Sequence, residues 1–265
     1  MADSIRAAIA YVRPGGPRPC YYANAHERDR VPVTGRSMLI ANARSLSTGL
    51  DREGFVLADH SSRIGDFTDP AEVAATYPAE IVELLLAQTG ADRVFVTAPA
   101  ILRFSEATGA AGSRDNSHPA RFAHIDATAA TSAALAARAL PAGLTARRHA
   151  HYNVWRAISG APQDVPLALC DARSLAPDDC IVADAIFDPP GVPQWRFESW
   201  VIAPNPAHRW HWYPDLTRDE AIIFKSSDSR FGNPVPHVAF DAPPEWRPAL
   251  PRISIEMRAV AYWLD

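Results

Sequence analysis

Short apolar runs separated by turn residues recur through the second half of the chain and predict β-strands. Their residues are mainly aliphatic and aromatic, and most are too short for helices. The predicted strands are Tyr152–Ile158, Val165–Cys170, Cys180–Phe187, Arg196–Ile202, Arg209–Tyr213, Ala221–Lys225, Val235–Phe240 and Ile253–Trp263. A succession of this kind is typical of a jelly-roll barrel.

Helical patterns occupy two stretches of the first half. The stretch Asp69–Gly90 begins with a capping acid and a proline, carries an apolar stripe and ends at a glycine. The alanine-rich stretch Thr128–Leu140 predicts a second helix. Between them, residues 101–119 are small and polar, which predicts a mobile loop able to cover a neighbouring site.

Proline content supports the barrel, because the chain has 24 prolines and only 13 glycines and therefore many stiff connections. We predict a mainly β protein with flanking helices, folded as a double-stranded β-helix, or jelly-roll, barrel. Residues 1–265 are expected to form a single domain. In that domain, residues 1–50 supply N-terminal strands and loops, and residues 51–265 supply the helices and the barrel core.

Charge and cysteine content narrow the classes of function. The 26 basic and 30 acidic residues give a net charge of −4, which offers no general attraction to nucleic acid or anionic lipid. Three widely spaced cysteines suggest neither a disulfide framework nor a thiolate zinc site. With neither a signal-peptide pattern nor a long apolar stretch, we expect a cytoplasmic protein with a small-molecule partner, compatible with a homodimer.

The phrase His124-Ile-Asp126 is the first sign of metal chemistry. In a strand, residues two apart share a face, so an imidazole and a carboxylate could bind one ion. His237 follows an acidic turn and an apolar strand and would complete a set of two histidines and one carboxylate. Such a set leaves three positions open on Fe(II) for a chelating cosubstrate and O₂. His208 is the alternative third ligand, or else a pocket or structural histidine.

Arg252 and Ser254 open the last predicted strand and share one face of it. A guanidinium and a hydroxyl so placed can hold the distal carboxylate of 2-oxoglutarate. Their order after His-x-Asp and the downstream histidine makes the combination far more specific than any of its parts.

Further polar and aromatic residues are candidates for the same pocket. Asn153 could donate to 2-oxoglutarate or to the substrate, with a buried amide bonded to backbone as the alternative. Trp155 would share its face. Lys225 is expected at a strand edge, or as a second partner for a carboxylate, and Arg209 is a further cationic candidate.

These phrases resemble the CmcJ/NvfI family, also called gibberellin desaturase-like, of Fe(II)- and 2-oxoglutarate-dependent oxygenases. The likeness covers roughly residues 50–263. It is carried by the site motifs above and by longer phrases such as Gln163–Ser174, Asn205–Trp210 and Pro236–Asp241. The resemblance implies a double-stranded β-helix that binds Fe(II) through His124, Asp126 and His237. It also implies hydroxylation, desaturation or oxidative rearrangement in secondary metabolism.

The predicted function is therefore a cytoplasmic Fe(II)/2-oxoglutarate-dependent dioxygenase that oxidises a small molecule with O₂. The alternative is a barrel of the same fold that binds a small molecule without catalysis or carries zinc. Zinc binds histidine and carboxylate ligands well but cannot activate O₂ by redox chemistry.

Overall fold

The structure, a computed structural model, describes residues 3–232, 234–244 and 249–265. Within these ranges the chain forms two α-helices, five short 3-10 helices and fifteen strands. The α-helices are α1 (Pro70–Thr89) and α2 (Ala129–Ala139). The strands are β1 (Ser4–Val12), β2 (Cys20–Tyr22), β3 (Val33–Asn42), β4 (Phe55–Asp59), β5 (Arg93–Val96), β6 (Ile101–Phe104), β7 (His124–Ile125), β8 (Ala146–Ala157), β9 (Leu167–Cys170), β10 (Cys180–Phe187), β11 (Trp195–Ile202), β12 (Trp210–Trp212), β13 (Glu220–Asp228), β14 (His237–Ala239) and β15 (Ile253–Leu264).

The strands form two sheets. The larger has the order β1-β3-β12-β9-β14-β7-β11-β10-β2, and the smaller has the order β4-β13-β8-β15-β5, with β6 also paired to β15. Side chains from both sheets meet in one buried apolar cluster that includes Trp155, Leu169 and Phe224. The sheets therefore pack face to face, and the mainly β prediction is confirmed.

Helix α1 covers the outer face of the smaller sheet. The side chain of Asp69 caps its first turn by accepting from the N–H groups of Ala71 and Glu72, and Gly90 ends it in the left-handed conformation at φ 63°. Its buried face, including Ile81, packs on residues such as Met257 of β15. The predicted helix and both of its boundary signals are confirmed.

Strand β15 alternates strictly between two environments. Ile255, Met257 and Ala259 point outward into the cluster beneath α1. Ser254, Glu256 and Arg258 therefore point to the interior between the sheets, whereas Val260 and Tyr262 on the same face pack against Ala136 of α2. Since β15 pairs with β8 on one side and with β5 and β6 on the other, the interior face of this strand is fixed by pairing on both edges.

One region differs from the expectations. Ile101–Phe104 pairs with β15 as β6, so the loop predicted over 101–119 begins later; its apolar residues were overshadowed by the small polar ones that follow. The first fifty residues supply β1, β2 and β3 to the larger sheet. β3 pairs with β12 and β2 with β10.

Candidate metal centre and cosubstrate site

Three side chains with metal-binding atoms converge between the sheets. β7 and β14 pair at His124 and His237, and Asp126 directly follows β7. The Nε2 atoms of the two histidines lie 3.6 and 3.9 Å from Oδ1 of Asp126. All three ligand atoms lie within 4.8 Å of one another, close enough to share one ion.

Backbone carbonyls orient both imidazoles. Nδ1 of His124 lies 3.0 Å from the carbonyl oxygen of Phe122, and Nδ1 of His237 lies 3.2 Å from that of Val235. Each carbonyl oxygen accepts a hydrogen bond from the Nδ1–H group, so the unprotonated Nε2 faces Asp126. This is the tautomer that coordinates a metal through Nε2.

The charges at the centre suit a cation. Burial raises the pKa of the Asp126 carboxyl, but Arg258 and the two histidines lower it by a larger amount. The resulting pKa lies well below its ordinary value. Burial and the neighbouring His124 lower the pKa of His237 to about 3. The carboxylate is therefore ionised and His237 is neutral, as metal ligation requires.

A polar chain fixes the Asp126 carboxylate. The Asn153 Nδ2 atom donates to Oδ2 of Asp126 at 2.6 Å, and Ser226 Oγ donates to Oδ1 of Asn153 at 2.9 Å. Arg258 Nη2 donates to Oδ1 of Asp126 at 3.2 Å. Both ends of the Asn153 amide are engaged, which differs from the expected contact with 2-oxoglutarate. Asn153 instead orients the carboxylate.

Arg252 and Ser254 form a second polar group in the interior. The Arg252 side-chain atoms Nε and Nη2 and the Ser254 hydroxyl are buried and have no hydrogen-bond partner within the described ranges. The Arg252 Cζ atom lies 5.7 Å from the centre of the Trp155 ring. Burial, reinforced by Arg103, lowers the Arg252 pKa to about 9. Unpaired buried donors are costly, so this group fits an anion with several oxygens, such as a carboxylate.

Two adjoining cavities open beside the metal centre. One of about 430 Å³ is lined by both His124 and Asp126, and the other, of about 860 Å³, is lined by Asp126 and Asn153. Arg258 borders both cavities. These volumes are in the usual range for small-molecule sites.

Comparisons with known proteins agree with this geometry. The family described as "Oxidoreductase/YMDC permease-like domain" matches residues 9–262. The hydroxylase/desaturase CTB9 of Cercospora beticola is 29% identical over 238 residues, covering 82% of this chain and 72% of that protein. The Fe(II)/2-oxoglutarate-dependent dioxygenase nvfI of Aspergillus novofumigatus is 30% identical over 206 residues, covering 73% of this chain and 69% of that protein.

The chain belongs to the CmcJ/NvfI family of Fe(II)/2-oxoglutarate-dependent oxygenases. A solved structure of the iron and alpha-ketoglutarate-dependent endoperoxidase NvfI superposes with a TM-score of 0.82 at 22% identity, covering 99% of both chains. This match confirms the predicted jelly-roll fold. Enzymes of the CmcJ/NvfI family use Fe(II), 2-oxoglutarate and O₂ to oxidise metabolites. Among the described helices, none is both long enough and apolar enough to cross a membrane.

Three residues predicted from sequence as site candidates lie outside the metal centre of this CmcJ/NvfI family protein. His208 is buried between the Tyr11 hydroxyl, 3.1 Å from Nδ1, and Asp179, 3.0 Å from Nε2. Both ring nitrogens are satisfied, so His208 is a structural histidine and not a metal ligand. Its place was not evident from sequence because Tyr11 is a distant part of the chain.

The two other cations also have structural partners. Arg209 pairs with Asp171 at 3.0 Å, and its side chain is 54% exposed. Lys225 is fully buried, with Nζ 2.8 Å from Asp228 and 3.1 Å from Asp51. The expected strand-edge position of Lys225 was therefore wrong, because its ammonium group is neutralised by carboxylates inside the protein.

Sequence reasoning missed several residues at the family site. Arg258, which contacts Asp126, also donates from Nε to Glu256 at 2.8 Å. Arg103 of β6 and residues of the first fifty, such as Tyr21, line the smaller cavity. The alternation of Ser254, Glu256 and Arg258 in the predicted last strand could have pointed to Glu256 and Arg258, whereas Arg103 and Tyr21 carried no local signal.

Proposed function

We propose that this oxygenase binds Fe(II) through His124, Asp126 and His237 and binds the distal carboxylate of 2-oxoglutarate through Arg252 and Ser254. It then oxidises a small molecule of secondary metabolism. The observation that carries the proposal is the convergence of three ligand atoms within 4.8 Å, with both Nε2 lone pairs facing one carboxylate oxygen. Bound together, Fe(II), 2-oxoglutarate and O₂ supply an oxidising power that protein side chains lack.

The chain's own residues bind, orient and exclude water. Arg252 would donate two hydrogen bonds to the cosubstrate carboxylate and Ser254 a third. Asn153 engages Oδ2 of Asp126, so Oδ1, which also accepts a hydrogen bond from Arg258, is the oxygen that would face the metal. The Phe224 ring, whose centre lies 4.6 Å from that of His237, keeps water from this side of the imidazole.

We also propose that residues 1–265 act as one oxygenase domain, since strands from the first fifty residues pair within the larger sheet. A cytoplasmic location is proposed as well. It is supported by the three free cysteines, Cys20, Cys170 and Cys180, which suit a reducing compartment.

The test is anaerobic loading with Fe(II), metal analysis, and measurement of succinate formed from 2-oxoglutarate after O₂ is admitted. His237→Ala should lose iron and turnover, because the facial set is broken. His208→Ala is the matched control, since it removes an equally buried histidine from the same protein. Iron retained in His237→Ala and lost in His208→Ala would refute the assignment. Tight zinc binding with no 2-oxoglutarate turnover would support a zinc-bound barrel.

A further inference from the structure

Arg103 lines the cavity beside the metal centre, and part of its guanidinium has no partner among the described residues. Arg103 of β6 pairs across the strand with Ser254 of β15 and therefore points into the interior. Its Nη1 atom donates to the backbone oxygens of Asn116, at 3.1 Å, and His118, at 2.7 Å, and to Oδ1 of Asn116 at 3.2 Å. Within the described ranges, its Nε and Nη2 atoms make no hydrogen bond or ion pair. The residue is partly exposed, and it borders the cavity of about 430 Å³.

Most of the other charges of this cavity are already matched, and Glu27, which also lines it, is an exposed carboxylate. Arg258 is paired with both Asp126 and Glu256. Arg121 donates to both oxygens of Glu106, at 3.0 and 2.9 Å.

The imidazole of His26 lies 3.3 Å from the carboxylate of Asp29. Glu256 is the acid whose charge most favours protonated Arg103, yet it lies beyond ion-pair distance and is held by Arg258. Arg103 thus remains able to bind an incoming anion through a planar pair of N–H groups.

Aromatic rings give another part of the same cavity an apolar lining. At the end of the β10–β11 hairpin, the rings of Phe187 and Trp195 stack at 4.2 Å, and those of Phe187 and Phe197 lie 5.3 Å apart. Phe187 and Phe197 line both cavities, and Trp195 is half exposed at the mouth of the larger one. Such faces favour a flat or fused apolar skeleton.

We propose that the substrate is an apolar, ring-bearing carboxylic acid whose carboxylate pairs with Nε and Nη2 of Arg103 while its skeleton lies on Phe187 and Phe197. This inference rests on the proposed function, because it places the substrate next to His124 and Asp126. The rival anion for Arg103 is 2-oxoglutarate itself. Arg252 and Ser254 suit that cosubstrate better, since their free donors are fully buried, whereas those of Arg103 face the open cavity.

The test compares acids with uncharged copies of the same shape. The probes are 1-naphthoate, fluorene-9-carboxylate and abietate, each paired with its primary amide. Binding to the anaerobic Fe(II) and 2-oxoglutarate holoenzyme is measured by calorimetry. At least one acid should bind ten times or more tightly than its amide, because only the acid forms the paired, charge-assisted hydrogen bonds.

Variants then assign the preference to a residue. Arg103→Met should abolish the preference for the acid, and Arg103→Lys should restore part of it. Both variants also lose the hydrogen bonds from Nη1 to Asn116 and His118. Arg36→Met is the matched control, because Arg36 is exposed on β3 and, among the described residues, donates only to the backbone oxygen of Gly35. None of these variants should change the apparent KM for 2-oxoglutarate more than about twofold.

Two results would overturn the proposal: equal binding of acid and amide in all three pairs, or a 2-oxoglutarate KM raised by Arg103→Met but not by Arg252→Met. Failure of the proposed function would look different. In that case, no 2-oxoglutarate turnover would occur, while the acid preference and its dependence on Arg103 would persist.

Discussion

Replacing Arg252 by lysine should weaken the binding of 2-oxoglutarate and leave iron binding intact. The variant is well suited to the test because the backbone at this position is held independently of the side chain. The Arg252 N–H donates to Asp164 Oδ1 at 2.8 Å, and its carbonyl oxygen accepts from the N–H of Ser105 at 2.8 Å. Neither bond is changed by the substitution, so the strand start should keep its place.

The size of the effect follows from the donors. Arg252 offers two N–H groups without partners among the described residues, Nε and Nη2, whereas lysine offers one point charge. Losing one hydrogen bond to a charged group costs about 1.5–3 kcal/mol. The apparent KM for 2-oxoglutarate should therefore rise about 10- to 150-fold. Ser254→Ala also removes one hydrogen bond to this charged carboxylate and should raise the apparent KM by a similar factor, about 10- to 150-fold.

The assay is succinate formation at varied 2-oxoglutarate, together with the iron content of each purified variant. Arg209→Lys is the matched control, because Arg209 is an exposed partner of Asp171 and should leave KM unchanged. An unchanged KM in Arg252→Lys, with a raised KM in Arg209→Lys, would mean that the cosubstrate lies in another orientation and that the reasoning is wrong.

Three further substitutions test other parts of the structure. Asn153→Ala should weaken Fe(II) binding about 10- to 100-fold in an anaerobic titration, because Oδ2 of Asp126 loses its 2.6 Å partner; unchanged affinity would remove Asn153 from the site. Lys225→Met should lower the melting temperature by leaving Asp51 and Asp228 less neutralised, and should not change KM for 2-oxoglutarate; a large change in KM would contradict a purely structural role. Burial lowers the pKa of His151 from 6.5 to about 4, so the unfolded chain binds this proton at a higher pH than the folded chain does. The free energy of unfolding should therefore fall by about 3 kcal/mol as the pH falls through the window between these two pKa values. Thermal melts of His151→Gln should show a shallower loss across the window, and an identical slope would refute the assignment.

Sequence predicted those parts of the site whose signal is local. His124 and Asp126 are two residues apart on an extended segment, and so are Arg252 and Ser254, so a shared face follows from the geometry of a strand alone. The boundaries of α1 were equally local, because Asp69 and Gly90 act within one turn of the helix ends.

The missed features depend on partners far away in the chain. His208 is structural because Tyr11 and Asp179 enclose it, and neither contact has a sequence pattern. Lys225 is buried because Asp51 and Asp228 both reach it, which composition could not indicate.

Arg103 was assigned to a loop together with the small polar residues that follow β6. Only the pairing of β6 with β15 reveals that this guanidinium shares an interior face with Ser254. Pairing over such a separation is a property of topology, and a single sequence does not disclose it.

The smaller cavity is lined by two of the three proposed iron ligands, His124 and Asp126, and otherwise by segments that carry no ligand. Residues 21–29, the 105–121 connection and the β10–β11 hairpin contribute most of the residues that line it. A substitution in these segments alters what can enter without disturbing the atoms that would hold metal and cosubstrate. The architecture thus separates the choice of substrate from the chemistry applied to it. Such a division would allow one catalytic centre to be retuned for many metabolites through changes confined to its rim.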